Sequence, residues 1–180
     1  MRVLEPAVER FGQFLGLLLL SIAVMEAPAA AADPNAPAET TGAFHAAAFS
    51  PLPDSPRVEV RLVDDSPENL ELGWQLQQEL QRRGLAAGNG DSLVLTVETD
   101  VAITPDPDAP APEAGQSGGL EVIGFLRATL DHSRTEERFW EAEAAYRRSD
   151  GDLPAGARSL VPLLVEQIGH SVELDSVRIR

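Results

Sequence analysis

Gly115-Gln116-Ser117-Gly118-Gly119 spells the G-x-S-x-G of a nucleophile elbow. An elbow lifts its serine hydroxyl above a sheet, so it needs a strand before it and a helix after it. Here a proline-rich stretch precedes and a strand pattern follows, which reads as a flexible glycine loop. Ser117 would be the nucleophile of a hydrolase built on this motif. The second candidate set is Glu136, Glu137, Glu141 and Glu143. Paired carboxylates can hydrolyse glycosides when their separation suits an acid and a nucleophile or base. Glu141 and Glu143 point the same way on a strand, but a half-exposed strand alternates like this with no site at all.

The three histidines, His45, His132 and His170, lie far apart in the chain. No pair has the i, i+4 spacing that lets one helix face hold zinc. His170 near a helix C-terminus is explained by the helix dipole. Asp106-Pro107-Asp108 and Asp150-Gly151-Asp152 share letters with calcium loops. An EF-hand needs Gly at its sixth position and Glu at its twelfth. Counted from Asp150, those positions are Ala155 and Val161, so a solvated turn is the reading. No catalytic, cofactor-binding or metal-binding residue is assigned, no cofactor is expected, and the balance is against an enzyme.

Missing residue types exclude more. There is no Cys, which removes disulfides, thiolate nucleophiles and Cys-ligated zinc. All 14 basic residues are Arg. Without Lys, a standard P-loop, a pyridoxal Schiff base and a kinase strand lysine are impossible. The formal net charge of −15 repels phosphate backbones and anionic lipid heads. Nucleic acid is therefore not an expected partner.

The chain opens with Arg2 and Arg10, then an uncharged apolar run at 11–25, then Ala30-Ala31-Ala32 before Asp33. A basic start, a short apolar run and an Ala-x-Ala site make a secretory signal. Residues 1–32 are read as a signal peptide, placing the rest in the periplasm or outside the cell. The run is shorter than the roughly 20 residues a spanning helix needs. The alternative is an inner-membrane anchor formed by uncleaved residues 11–25. After cleavage no stable transmembrane span is expected.

Residues 33–56, rich in Ala and Pro, read as a disordered lead-in to a single domain at 57–180, with a flexible loop at 104–119. In RVEVRLV, from Arg57, alternation predicts a half-buried strand. Ser66 as N-cap and Pro67 at the first helical position open a helix carrying Leu72, Leu76 and Leu80 as one stripe, and Gly84 suits its C′ position. SLVLTVETDV reads as a strand. LEVIGFLRATLD and RFWEAEAAYR read as an antiparallel hairpin closed by HSRTEE. Val161, Leu164, Val165, Ile168 and Val172 form a stripe for a helix near 157–173, with Pro162 in its first turn. The tail from Glu173 is unassigned. Trp74, Trp140 and Tyr146 sit in apolar patterns and are expected in the core. The expected fold is α+β: a β-α-β-β-β-α two-layer sandwich, with a mixed four-stranded sheet and two helices on one face.

The hairpin GFLRATLDHSRTEERFWEAEA, residues 124–144, and the helix LVPLLVEQIG resemble those of small exported bacterial envelope proteins. These include auxiliary lipoproteins of envelope transport systems and related families. In that hairpin a strand ends in Asp, a short polar turn follows, and Trp opens the return strand. The resemblance implies a non-catalytic binding or assembly module whose partner is another envelope protein or a lipid. It carries over no catalytic residue. Many such proteins are lipid-anchored through a Cys, which this chain lacks. The competing expectation is a small secreted hydrolase using Ser117 or the Glu136, Glu137, Glu141 and Glu143 carboxylates.

The exported chain should begin at Asp33. N-terminal sequencing or intact mass checks this, and full-length chain recovered from the cytoplasm would refute it.

Overall fold

The computed structural model describes residues 37–86, 88, 90–105 and 120–180. Residues 1–32 of the expected signal, Asp106, Asp108 and the Gly115–Gly119 motif lie outside them. Six strands and two helices follow one another as β1 (Thr40–Ala48), β2 (Arg57–Leu62), α1 (Pro67–Arg82), β3 (Ser92–Pro105), β4 (Leu120–His132), β5 (Arg138–Arg148), α2 (Leu153–Glu166) and β6 (Val172–Ile179). They form one sheet in the order β2-β3-β4-β5-β1-β6. The β2–β3 pair is parallel, joined across α1, and every other pair is antiparallel. The α+β class stands, but the expected four-stranded sheet does not: it has six strands.

Both extra strands come from stretches without a strand signal. β1 lies in the expected lead-in, where TTGAFHAAA is too poor in β-branched residues to look like a strand. Pairing on both sides makes it one. Phe44 and Ala46 are buried between β5 and β6. Gly42 admits the close approach, since a Cβ there would lie 2.1 Å from the Ala145 carbonyl oxygen. β6 lies in the unassigned tail, and a bulge in it breaks the period-two pattern.

α1 forms as its sequence requires. The Ser66 hydroxyl accepts from Asn69 N–H at 3.3 Å, and Gly84 takes φ +75° just past the end. Its Leu72, Leu76 and Leu80 are buried on the sheet. Trp74 is 58% exposed, contrary to expectation. Two residues on from Leu72 is about half a helical turn, so Trp74 faces away from that stripe. Trp140 and Tyr146 are core residues, as expected.

α2 starts earlier than its apolar stripe suggests. Asp152 caps it by accepting from Ala155 N–H at 2.9 Å. Pro154 takes the first turn, which leaves Pro162 inside the helix rather than at its start. An interior proline removes one helical hydrogen bond and costs about 3 kcal/mol. Pro162 is exposed, so the carbonyl it leaves unbonded lies on the watered side. Val172 belongs to β6, not to the helix.

Both helices lie on one face of the sheet and against each other. Beneath them runs a row of alanines, with Ala128 opposite Ala142 and Ala142 opposite Ala46. Leu130 and Trp140 form the next row, and Leu126, Ala144 and Phe44 the row on the other side. Small residues in the middle let the helices settle close while the larger ones fill the flanks. Among the described residues no helix is long and apolar enough to cross a bilayer.

Leu76→Asp and Leu164→Asp should each cost about 4 kcal/mol or more, because both wild-type side chains are 0% exposed and the new charge has no partner. Urea unfolding followed by circular dichroism reads the loss. A Leu164→Asp variant with normal stability would mean that the α2 stripe is not core.

Candidate functional site

The sheet face away from the helices carries the charged residues. Cross-strand register sets Glu98, Arg127, Glu143, His45 and Glu173 in one row from β3 to β6. Arg127 Nε donates to Glu143 Oε1 at 2.8 Å. Arg138 donates to Asp131 at 3.0 Å and to Glu141 at 3.3 Å. Its guanidinium is held above its usual pKa by these carboxylates, although burial opposes the shift. Glu141 and Glu143 do point the same way, as strand alternation requires. Each is in an ion pair with an arginine and partly open to solvent, at 31% and 24% side-chain exposure. Catalytic carboxylates need a cleft that holds a sugar between them, and here they lie on a sheet surface.

Glu136 and Glu137 are exposed in the β4–β5 turn, not beside that pair. Glu136 takes φ +56° and its N–H donates to the His132 carbonyl. His132 staples the same turn, with Nδ1 accepting from Arg134 N–H at 3.1 Å and Thr135 N–H at 3.2 Å. His45 lies on the open face and His170 in the exposed turn after α2, so the three histidines are dispersed. Among the described residues no three His, Asp or Glu side chains cluster as metal ligands. Asp150 accepts from Arg148 Nε at 2.9 Å and Asp152 N–H at 3.0 Å, and the second bond chiefly lowers its pKa. The Asp150-Gly151-Asp152 stretch is thus the turn that caps α2.

On the helix side a groove of about 180 Å³ opens between the N-termini of α1 and α2, over β3. That is below the roughly 300 Å³ at which ligand pockets begin. The polar side chains there satisfy one another. Asn69 donates to Asp64 at 2.7 Å and accepts from the Thr99 hydroxyl at 3.0 Å. The Tyr146 hydroxyl donates to the Leu153 carbonyl at 3.1 Å. Its ring is wedged between two glycines: a Cβ at Gly124 would lie 2.4 Å from it, and one at Gly156 2.7 Å.

The feature that sequence reading missed is apolar. Beyond Thr99 the helix-side face of the β3–β4 pair is exposed among the described residues. Val101 faces Gly124 and Ile103 faces Val122, with Leu120 next along β4. Val101, Ile103, Leu120 and Val122 are 54%, 67%, 70% and 47% exposed. β3 also runs to Pro105, past the expected start of the loop at 104. The signal was present as alternation in VAITP and LEV, but these letters alone do not say where the helices stop.

No family model and no curated protein matches the chain. Among solved structures, it is similar to a PDZ domain protein from Parabacteroides distasonis, with a TM-score of 0.45 and 14% identity over 78% of this chain; the match spans 38% of that protein. A PelC dodecamer from Paraburkholderia phytofirmans scores 0.44 at 14% identity, over 73% of this chain and 99% of that one. A rare lipoprotein B from Shewanella oneidensis scores 0.38 at 12% identity, over 62% and 89%.

Tyr146 is the chain's only tyrosine, so its ionisation can be followed without interference. Burial raises its pKa from 10.0 to about 12. The folded state therefore binds this proton more tightly than the unfolded chain does. The associated stability is complete below pH 10 and is lost as pH rises toward 12. An ultraviolet titration should give a single late tyrosinate step, and a midpoint at the free-tyrosine value would show that the ring is not packed.

Proposed function

We propose that this chain is an exported, non-catalytic module of the bacterial envelope that binds or assembles with another envelope protein. In this reading residues 1–32 direct export and are removed, and the folded unit works in the periplasm or outside the cell. The observation that carries it is the bare ladder Val101, Ile103, Leu120 and Val122. Contiguous exposed apolar side chains on a soluble domain mark interaction surfaces more often than scattered ones do. The ladder continues the face that buries Leu93, Leu95 and Val97, so it offers a partner the same kind of surface that the helices cover further along β3. The charged face supports the non-catalytic side of the reading. Glu141 and Glu143 are in ion pairs with Arg138 and Arg127.

Ile103→Glu with Leu120→Glu should leave stability within about 0.5 kcal/mol, as exposed substitutions usually do. Photo-crosslinking from position 122 in native envelopes should capture a protein partner from the wild type and lose it in this double variant. Recovery of the wild type without any crosslinked protein would overturn the reading, as would a lipid as the only adduct. Retained capture by the double variant would remove the ladder from it.

A further inference from the structure

The groove between the N-termini of α1 and α2 has a volume of about 180 Å³, and every residue that lines it belongs to the described part of the chain. It is too small for a ligand of drug size. An apolar cavity of about 150 Å³ holds one benzene, so the groove has room for a single side chain. Its floor is apolar: Leu72, Leu153 and Ala157 are 2%, 8% and 2% exposed, and the Tyr146 ring lies with them. Its charge is all of one sign. Asp64, Glu68 and Asp100 line it, and no basic residue does.

Two effects oppose each other there. Each helix N-terminus contributes a partial charge of roughly +0.5, which favours an anion. The three carboxylates favour a cation. Hydrogen bonds from Ser66 and Asn69 hold Asp64 below the usual carboxylate range, so it stays charged. Three negative charges outweigh two helix ends that sum to about one positive charge, and the groove favours a cation. A bare metal ion does not suit it. The Asp64 oxygens already accept from the Ser66 N–H at 2.8 Å and the Asn69 amide at 2.7 Å. No three carboxylates among the described residues converge as metal ligands. A cation on an apolar stem does suit it, because Lys and Arg lay the stem on apolar surface and keep the charged head at a polar rim.

Val101 lines the groove and is also the first residue of the exposed ladder, so the two surfaces are continuous. A partner lying on the ladder brings to the groove a side chain next to its apolar ones. The net charge of −15 draws a basic partner toward this surface. We infer that the groove receives one Lys or Arg side chain of the envelope protein that docks on the ladder, with its stem against Leu72, Leu153 and Ala157 and its head among Asp64, Glu68 and Asp100. This rests on the reading of the chain as a partner-binding module, and it adds the chemistry of the partner: an apolar segment with a basic residue in it.

Tyr146 reports on the groove, since it lines it and is the only tyrosine. With isotope-labelled tyrosine, NMR follows that one ring in the full chain. The probe is the peptide acetyl-Leu-Arg-Leu-amide. Its control carries norleucine in place of Arg, which keeps the stem and drops the charge. The Arg peptide should shift the Tyr146 signals saturably, with a Kd on the order of 1 mM, and the norleucine peptide should not. Glu68→Gln with Asp100→Asn should weaken the Arg peptide by about fivefold or more, with thermal melts confirming the fold. Asp64 is left in place because it holds the start of α1. The same double variant should lose most of the protein that the wild type captures from position 122. Tyr146 signals that ignore the Arg peptide, that move equally with the norleucine peptide or that respond as fully in the double variant would each overturn the groove proposal. So would undiminished capture by the double variant. Each of these leaves the module reading standing, because the wild type still captures its protein. A wild type that captures no protein overturns both.

Discussion

Trp140 is fully buried in the middle of the sheet, and an indole N–H cannot be left there without an acceptor. It finds one in the His170 carbonyl at 3.0 Å. That bond fixes the turn after α2 against β5, and so fixes where β6 begins. The next residue, Ser171, accepts from Ala48 N–H at 2.9 Å. Phe49 N–H donates to the Phe139 carbonyl at 2.8 Å. The end of β1, the start of β5 and the start of β6 therefore meet around one side chain. The ladders of β1 run outward from this junction. The α2 stripe, Leu160, Val161 and Leu164, packs onto the sheet that the junction holds in place.

The two faces of the sheet solve different problems. On the helix side, volume decides: alanines lie in the centre row and large residues flank them. On the open side, acids outnumber bases, and the arginines are placed across strands from them. Arg127 meets Glu143, Arg138 meets Asp131, and Arg147 meets Glu121 at 2.7 Å. The planar guanidinium suits this work, because it reaches two carboxylates at once, as Arg138 does with Asp131 and Glu141.

Sequence was most informative where one period held without interruption. β2, α1 with its Ser66 cap and Gly84 exit, and the β4–β5 hairpin were legible because alternation or a leucine stripe continued to the end of each element. β1 was not, because alanine has little strand preference and its strand comes from neighbours remote in the chain. β6 was not, because one bulged residue turns two matching halves into an unreadable string. α2 begins before its apolar stripe because Asp152 and Pro154 supply a helix start, which leaves Pro162 in the interior. For the site, the dispersal of the histidines and the turn at Asp150 could be read from spacing. The pairing of Glu141 and Glu143 with arginines could not, since it depends on the register between strands. The bare hairpin ladder was hidden for a similar reason: exposure depends on where the helices end.

The place of β1 in the sheet also bears on how the chain can fold. Thr40 pairs with Arg148 on one side and Ile179 on the other. Synthesis delivers β1 before either partner, since Arg148 lies 108 residues further along the chain and Ile179 lies 139 further. The β2-α1-β3 unit can close locally, while the strand that joins β5 to β6 must wait. Contacts this remote are slow to form because they carry the full entropy of closing the chain. β1 therefore stays without its sheet neighbours until β5 and β6 have both been made, so that side of the sheet is the last part that can close.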